Sequence, residues 1–325
     1  MTVTVETYPR LHFGFLNVVP TKSRIFGSLG VAVDQPAIRV RVGRENTLQC
    51  DHPVAAAYAE TSLDLLDLPG AEVSVEAAPP RHSGFGSGTQ LALATYTAIA
   101  NVYAVDGPEP RSVAPALGRA NRSGIGVATF EAGGFVIDAG HPAPPSGHTW
   151  DPAEWTVPPV MARHAIPSQW RFVGVLPAVE SSVHGETEAN RIDQVMATAN
   201  PAITDRISAI VTGELLPGLV TGQIELFGRG IAKLDQWNAR WFLPAQEEGY
   251  HPGARPAVHA MEASPAIVGV GQSSWGPLVY GVTTADQLEE AKAAAQDGLD
   301  ATPRGGEVLV LTPQNSGAAI IDGSD

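Results

Sequence analysis

The chain has 325 residues, enough for two hydrophobic cores or one large composite core. Hydrophobic residues make up 44% of it and charged residues 17%, which excludes a disordered chain, a coiled coil and a collagen-like fibre. The net charge of −14 argues against nucleic-acid binding, and no apolar run reaches the roughly 18 to 20 residues of a membrane-spanning helix. The single cysteine, Cys50, excludes an internal disulfide bond. We therefore expect an acidic, cytoplasmic protein with no nucleic-acid and no membrane partner.

The spacing of apolar and turn residues predicts a mixed α and β protein in two halves, divided within the Pro-rich segment 141–159. That segment is also a candidate lid. In chain order the predicted elements are strands within the first 45 residues, a helix over 54–66, a strand over 72–76, a helix over 89–102, a short helix over 113–120, a β-hairpin turning at 132–134, a strand over 170–178, a helix over 186–199, two helical segments within 201–242, strands over 266–270 and 278–282, a helix over 285–299 and a strand over 307–311.

A glycine-rich segment, RHSGFGSGTQ, occupies residues 81–90. Its glycines allow positive φ angles and close approach of a ligand to the backbone. The S-x-x-Q string that starts at Ser87 matches a capping box and predicts that a helix begins there. Because a helix N-terminus attracts anions, we interpret the segment as a phosphate site. A glycine-rich turn that only caps the helix is the alternative. The spacing fits neither a Walker loop nor a dinucleotide-binding fingerprint.

Basic residues elsewhere suggest further anion contacts. Arg119 and Arg122 lie in the glycine-bearing segment 118–126, and a guanidinium group binds two phosphate or carboxylate oxygens at once. Ordinary solvated turns are the alternative for these two arginines. Arg10 and His12 alternate with apolar residues in a strand that looks buried, which favours a functional role for both.

Other candidates remain open between structural and functional interpretations. Trp275, in a second glycine-bearing loop, is equally typical of a core residue and of a flat wall for an aromatic ring. His141 and His148 could share a metal ion, but surface histidines in a Pro-rich loop are the preferred interpretation.

Five strings along most of the chain resemble the GHMP kinase superfamily in the same order. They are RLHFGFLNV (10–18), FGSLGVAVDQP (26–36), SGFGSGTQLALA (83–94), GRANRSGIGVATFEAGGFVIDAG (118–140) and GQSSWGPLVYG (271–281). In their particular residues, these strings resemble one non-kinase branch of the superfamily, the β-ribofuranosylaminobenzene 5′-phosphate synthases. The resemblance implies an α+β, two-domain GHMP fold. Its parts would be a ribosomal-S5-domain-2-like N-terminal domain over 1–160, with the phosphate-binding loop at 83–90, and a ferredoxin-like C-terminal α/β sandwich domain over 161–325.

The resemblance also implies a reaction. In that branch, 5-phosphoribosyl 1-diphosphate and 4-hydroxybenzoate or 4-aminobenzoate join through a carbon–carbon bond. Carbon dioxide and diphosphate are released, and the product serves methanopterin biosynthesis. Kinases of the superfamily carry an S-G-x-D string, whereas Ser123–Gly126 here lacks the carboxylate. The synthase is therefore the preferred interpretation. An ATP-dependent small-molecule kinase and an inactive metabolite-binding relative are the alternatives.

Site residues follow from the same resemblance, with Mg²⁺ as the expected cofactor, its ligands unidentified, and a homodimer left open. His12 is a candidate base for the para hydroxyl of the acceptor. The expected residues are His12, Arg10 and Arg122 for catalysis; Gly84, Gly86, Ser87, Gly88, Thr89, Arg119, Ser123 and Gly124 for the phosphate and diphosphate groups; and Ser273, Ser274 and Trp275 for the aromatic acceptor.

Overall fold

The computed structural model describes residues 1–80, 82–143, 156–178, 186–246, 249–251 and 253–322. Within these residues the strands form three four-stranded sheets and one two-stranded sheet, and every pairing of named strands is antiparallel. The strands are β1 (Thr2–Thr7), β2 (Arg10–Phe15), β3 (Arg24–Ile25), β4 (Ser28–Ala32), β5 (Ile38–Arg44), β6 (Ala71–Ala77), β7 (Phe135–Asp138), β8 (His141–Pro142), β9 (Val160–His164), β10 (Trp170–Pro177), β11 (Gly269–Gln272), β12 (Val279–Thr284), β13 (Gly306–Leu311) and β14 (Ala319–Asp322).

Ten α-helices lie between these strands in the described part of the chain, and a π-helical turn, Val211–Leu215, joins two of them. None of these helices combines the length and the apolar character needed to cross a membrane. The helices are α1 (Pro53–Leu66), α2 (Ser87–Tyr103), α3 (Pro110–Val113), α4 (Ile125–Ala132), α5 (Glu186–Thr198), α6 (Pro201–Ile210), α7 (Leu216–Val220), α8 (Ile224–Phe242), α9 (Arg255–Glu262) and α10 (Leu288–Asp300).

The first sheet has the order β14-β1-β5-β6, with helices α1 and α2 packed on one face. Alternating residues of β1 and β5 point into that interface, where Val3 and Val40 are fully or almost fully buried against α2. β14 pairs with β1, so residues 319–322 complete a sheet of the N-terminal half. Burial of the alternate apolar residues on one face of the sheet therefore stabilises the packing of α2 against it.

A second core joins the two halves of the chain. The sheet β2-β4-β7-β9 and the sheet β11-β12-β10-β13 share one hydrophobic cluster with helix α8. Phe13 on β2 lies against Tyr280 on β12 with ring centroids 5.0 Å apart, and against Phe227 on α8 at 6.3 Å. Strand β9 pairs with β7 of the N-terminal half. The domain division at residue 160 stays a prediction, and the shared aromatic cluster fixes how the halves meet.

Most of the predicted elements appear where the sequence predicts them, two of the predictions are wrong, and the sequence predicts none of β8, β9, α9 and β14. The predicted β-hairpin at 132–134 is wrong: residues 125–132 form α4, and the positive φ angles of Gly133 and Gly134 end that helix before β7. Glycines at this position terminate a helix as readily as they turn a hairpin. The predicted helix over 113–120 is also wrong, because the helix here is α3, which starts at Pro110 with proline at its first position.

Candidate active site

Two adjoining cavities lie where the second core meets helix α2. The larger has a volume of about 520 Å³ and the smaller about 250 Å³. The larger cavity lies within the range of roughly 300–1,000 Å³ that is typical of small-molecule sites. Five residues line both cavities: Arg10, Thr89, Arg119, Ser274 and Trp275. The smaller cavity is bounded by the loop before α2, and the larger by β2, the loop over 118–123 and α8. A ligand can therefore extend from one cavity into the other.

The smaller cavity ends at the N-terminus of α2. The predicted start at Ser87 is confirmed, with Gly86 as the N-cap in the left-handed conformation at φ 68°. The predicted capping box is wrong, because Gln90 is buried: its amide accepts from Thr7 Oγ1 (2.6 Å) and donates to the Gly126 carbonyl (2.7 Å). No described side chain caps this end of the helix. The helix N-terminus is thus available to an anion in the smaller cavity.

Two arginines lie directly against the glycine loop. Arg10 Nη1 donates to the Gly84 carbonyl (2.6 Å), and a Cβ atom on Gly86 would lie 2.8 Å from the Arg10 guanidinium carbon. Arg119 Nε donates to Thr89 Oγ1 (3.3 Å), and a Cβ on Gly88 would lie 3.4 Å from Arg119 Nη1. The small size of these glycines therefore admits two positive charges beside the helix N-terminus. Together they make a site for a multiply charged anion.

The loop over 118–124 contributes unequally. Arg122 and Ser123 line the larger cavity. Gly124 lines neither, because its backbone N–H donates to Asp138 Oδ2 (2.8 Å) instead of facing a ligand. The Ser123 hydroxyl lies 2.6 Å from the Ser28 hydroxyl, which itself donates to Asp138 Oδ2 (2.6 Å). A buried carboxylate thus fixes both the loop backbone and a hydroxyl at the cavity wall.

Asp138 is the buried carboxylate that holds the Gly124 backbone and the Ser28 hydroxyl in place. It also accepts from the backbone N–H groups of Ser28 (3.2 Å) and Gly140 (2.8 Å), so it receives four hydrogen bonds in all. Burial raises the pKa of Asp138 to about 6, although these hydrogen bonds act in the opposite direction.

His12 enters the site from β2 as a buried side chain, 4% exposed, that lines the larger cavity. Its backbone N–H donates to Ser273 Oγ (2.9 Å), and its carbonyl accepts from Ser274 N (3.2 Å). Nδ1 of its ring has no hydrogen-bond partner among the described residues. Burial, with a smaller contribution from the Arg10 charge, lowers the pKa of His12 to about 3. The imidazole is therefore neutral at physiological pH.

The loop over 273–276 forms one wall of both cavities. Ser274 is exposed, and Trp275 packs edge-on against Phe242 with ring centroids 4.9 Å apart, so this tryptophan is both partly buried and a cavity wall. Ser273 is fully buried and lines neither cavity. Its hydroxyl donates to the Gly84 carbonyl (2.8 Å). Ser273 thus ties the loop to β2 and to the glycine loop.

Sequence reasoning did not identify Asp235 and Tyr250, which also line the larger cavity. The Tyr250 hydroxyl donates to Asp235 Oδ2 (2.6 Å), and the Gln272 backbone N–H donates to Asp235 Oδ1 (2.8 Å). Burial raises the pKa of Asp235 to about 7. No local motif marks either residue, since the pair forms only when α8, β11 and the segment after α8 pack together.

Of the two histidines considered for a metal, only His141 lies within the described residues, so the structure does not test the pair. His141 is buried, with 3% of its surface exposed, so the prediction of a surface histidine is wrong at this position. It lies in β8, where it pairs with Ile25 of β3. His148 lies outside the described residues. No group of three or more His, Cys, Asp and Glu side chains that could hold a metal occurs among the residues the structure describes.

The N-terminal half of the chain matches a known protein family. Residues 49–134 match the family model "GHMP kinases N terminal domain". The homoserine kinase of Cytophaga hutchinsonii superposes with a TM-score of 0.65 at 18% identity, over 98% of this chain and 97% of that one. The predicted α+β GHMP fold is thereby confirmed.

The sequence relatives narrow the class. A beta-ribofuranosylphenol 5'-phosphate synthase of Methanothermobacter thermautotrophicus is 30% identical over 98% of this chain and 98% of its own length. One of the same name from Methanocaldococcus jannaschii is 26% identical over 97% and 99%. The chain belongs to the beta-ribofuranosylphenol 5'-phosphate synthase family, as its resemblance to that branch predicted, and it is an enzyme of the pentosyltransferase type.

Proposed function

We propose that the chain transfers the phosphoribosyl group of 5-phosphoribosyl 1-diphosphate to 4-hydroxybenzoate or 4-aminobenzoate. The transfer forms a carbon–carbon bond and releases carbon dioxide and diphosphate, as a step of methanopterin biosynthesis. The observation that carries this proposal is the position of Arg10 and Arg119 against the glycine loop, where the two cavities meet. The names of the curated relatives, which refer to a ribofuranosylphenol 5'-phosphate, favour the phenolic acceptor.

The donor fits the charged end of the cleft. Departure of diphosphate leaves positive charge on C1 of the ribose and negative charge on the leaving group. Arg10, Arg119 and the N-terminus of α2 would stabilise that leaving group, because they hold donors at fixed positions around developing charge. Arg122 and Ser123, on the wall of the larger cavity, would contact the 5-phosphate or the acceptor carboxylate. Gly124 would act through Asp138 rather than by direct contact.

The acceptor fits the larger cavity. Trp275 would supply a flat apolar wall for the benzoate ring, with Ser274 at the boundary to the donor. The ring carbon that bears the carboxylate attacks C1 as the carbon–oxygen bond to diphosphate breaks. The bond to the carboxylate then breaks, and its electron pair restores the aromatic ring. Neutral His12 would offer Nδ1 as a hydrogen-bond acceptor beside the reacting groups.

Mg²⁺ is proposed only as the ion that accompanies the diphosphate of the donor. Asp235 is the one carboxylate among the described residues that line the two cavities, and a single carboxylate does not enclose an ion. These residues therefore do not form a magnesium cage. Since Mg²⁺ is commonly bound through substrate phosphates with few protein ligands, the steps assigned to this chain do not depend on one.

A coupled assay tests the function. Diphosphate and ¹⁴CO₂ are measured from carboxyl-labelled 4-hydroxybenzoate with 5-phosphoribosyl 1-diphosphate and Mg²⁺, without ATP. We expect equimolar release of both products, dependent on both substrates. Absence of release from either benzoate, by folded protein that binds the donor, would refute the transferase and favour the ATP-dependent kinase. Gly126, where those kinases carry aspartate, argues against that outcome.

A further inference from the structure

We propose that Asp235 and Tyr250 form the subsite for the para substituent of the aromatic acceptor, and that the Asp235 carboxylate takes the proton of a para hydroxyl as the new carbon–carbon bond forms. The proposal rests on the transferase function proposed above. It adds a catalytic residue on α8 and assigns to that residue the hydroxyl of the phenolic acceptor that the names of the relatives favour.

The shape of the cleft places this pair opposite the donor. Strand β2 runs along the larger cavity from Arg10, which contacts the glycine loop, to Gly14, where a Cβ atom would lie 2.6 Å from the Asn238 side chain. Four residues of extended chain separate these points, roughly 13 Å at about 3.3 Å each. Asp235 lies one turn before Asn238 on α8 and lines the same cavity.

The geometry of the reaction selects the same end. The carbon that attacks bears the carboxylate, so it must face C1 of the ribose beside the arginines. The para substituent lies across the ring and must then point away from the arginines, toward α8. Among the described residues that line the two cavities, Asp235 is the only carboxylate. It is therefore the group with the charge and the position to receive a proton there.

The surroundings of Asp235 suit a proton acceptor. It is 7% exposed, and its two oxygens are held by Tyr250 and by the Gln272 backbone N–H. A Cβ atom on Gly271 would lie 2.5 Å from the Tyr280 hydroxyl and 3.1 Å from Asp235 Oδ1, and that hydroxyl has no hydrogen-bond partner among the described residues. With a pKa of about 7, Asp235 is a stronger base at neutral pH than His12, whose pKa is about 3.

The step balances without any further reactant. The O–H bond of the phenol breaks and its proton moves to Asp235, while the oxygen electron pair is pushed through the ring to form the bond to C1. Diphosphate leaves with the electrons of the C1–O bond. When carbon dioxide departs, the electrons of its bond return through the ring to the para oxygen, which takes the proton back from Asp235. The carboxylate is regenerated.

The two acceptors make different demands on this residue. A para hydroxyl must lose its proton to release its full electron density into the ring. A para amino group already has a free electron pair and can act without losing a proton first. Removal of the Asp235 charge should therefore affect the two acceptors unequally, whereas a purely structural role would affect both alike.

The experiment compares wild type, Asp235→Asn, Tyr250→Phe and Asp297→Asn, the last a matched change of an exposed carboxylate on α10. We measure kcat/KM for both benzoates at saturating donor. For Asp235→Asn we expect a loss of about 10² to 10⁴-fold with 4-hydroxybenzoate and of less than about tenfold with 4-aminobenzoate. Tyr250→Phe should shift the ratio in the same direction by about tenfold, and Asp297→Asn should leave it unchanged. Equal losses with both acceptors, or no loss, would overturn the proposal.

A binding measurement separates this proposal from the proposed function. Quenching of tryptophan fluorescence, with Trp275 in the cavity wall, reports affinity for 4-hydroxybenzoate and for unsubstituted benzoate. Wild type should prefer the hydroxy compound, and Asp235→Asn should lose that preference. Preference without turnover by wild type would refute the transferase but support the subsite. Turnover without preference would refute the subsite alone. If Asp235→Asn does not fold, Tyr250→Phe carries the test, and an unchanged acceptor ratio in that variant overturns the proposal.

Discussion

The guanidinium of Arg10 occupies the space in which a side chain on Gly86 would begin: a Cβ atom there would lie 2.8 Å from the guanidinium carbon. Gly86 also has a positive φ of 68° at the N-cap of α2. Two independent constraints, backbone conformation and room for a cation, therefore require glycine at this one position. The relationship links the glycine loop to an arginine 76 residues earlier in the chain.

Gly86→Ala should consequently reduce both stability and activity. The left-handed conformation costs alanine about 1 to 2 kcal/mol, and the methyl group displaces Arg10 from the anion site. We expect a lower Tm and a fall of at least roughly tenfold in kcat/KM for 5-phosphoribosyl 1-diphosphate. Gly213→Ala is the control, because a Cβ atom at this helical position meets nothing within 4 Å. Equal effects of the two substitutions would contradict the importance of Arg10 at the loop.

Arg119→Ala should weaken the donor specifically. A hydrogen bond to a charged group contributes about 1.5 to 3 kcal/mol, so kcat/KM for the donor should fall roughly 10- to 150-fold. The KM for the benzoate should change little. Arg229→Ala, an exposed arginine on α8, removes the same charge away from both cavities. Steady-state kinetics with each substrate varied in turn would check this, and an effect confined to the benzoate would place Arg119 at the wrong end of the cleft.

Ser28→Ala should destabilise the protein in a pH-dependent manner. The Ser28 hydroxyl donates to Asp138 Oδ2, and this hydrogen bond favours the ionised carboxylate. Since the pKa of Asp138 is about 6, the loss should be about 1 to 3 kcal/mol at pH 8 and smaller at pH 5, where the carboxyl is protonated. Urea unfolding at both pH values measures it. Ser208→Ala, at an exposed hydroxyl on α6, should cost less than about 0.5 kcal/mol. A penalty that does not vary with pH would show that Asp138 does not titrate in this range.

Asp235→Asn should gain stability relative to wild type as the pH rises. Burial raises the pKa of Asp235 from 3.8 to about 7. The titratable groups that interact with this carboxyl are Tyr250, Tyr280 and Glu262. A raised carboxyl pKa stabilises the folded state fully below pH 4, and that contribution is lost as the pH rises through 7. The difference in unfolding free energy should therefore move by a few kcal/mol in favour of the variant between pH 4 and pH 8. Denaturant unfolding across that range measures the difference, and a constant difference would contradict the burial of an ionisable carboxyl.

The sequence predicts local features of the site better than assembled ones. The start of α2 at Ser87 could be predicted, because glycines followed by helical spacing are a local signal. The hydrogen bonds of the Gln90 side chain could not be predicted, because its partners Thr7 and Gly126 belong to other elements. The sequence predicts a strand where α4 forms, because the apolar residues of α4 are buried on several sides and its sequence therefore shows no helical period.

Residues that act through tertiary contacts left no signal at all. Asp235 belongs to a helix with ordinary amphipathic spacing, and Tyr250 is an isolated tyrosine. They become a pair only when the segment after α8 packs against α8 and β11. Ser273 illustrates the converse. Its glycine-bearing loop suggested a ligand contact, but the structure uses the hydroxyl to join three segments of backbone.

That hydroxyl also bears on how the enzyme becomes active during folding. Its two hydrogen bonds join residues 189 and 261 positions apart in the chain, so they close only after nearly the whole polypeptide has collapsed. Contacts of such high sequence separation form late, because loop-closure entropy opposes them. Helices α1 and α2 can form early from neighbouring residues. In a refolding experiment, helical circular dichroism should therefore recover before catalysis, and the return of enzymatic turnover should follow the slowest step.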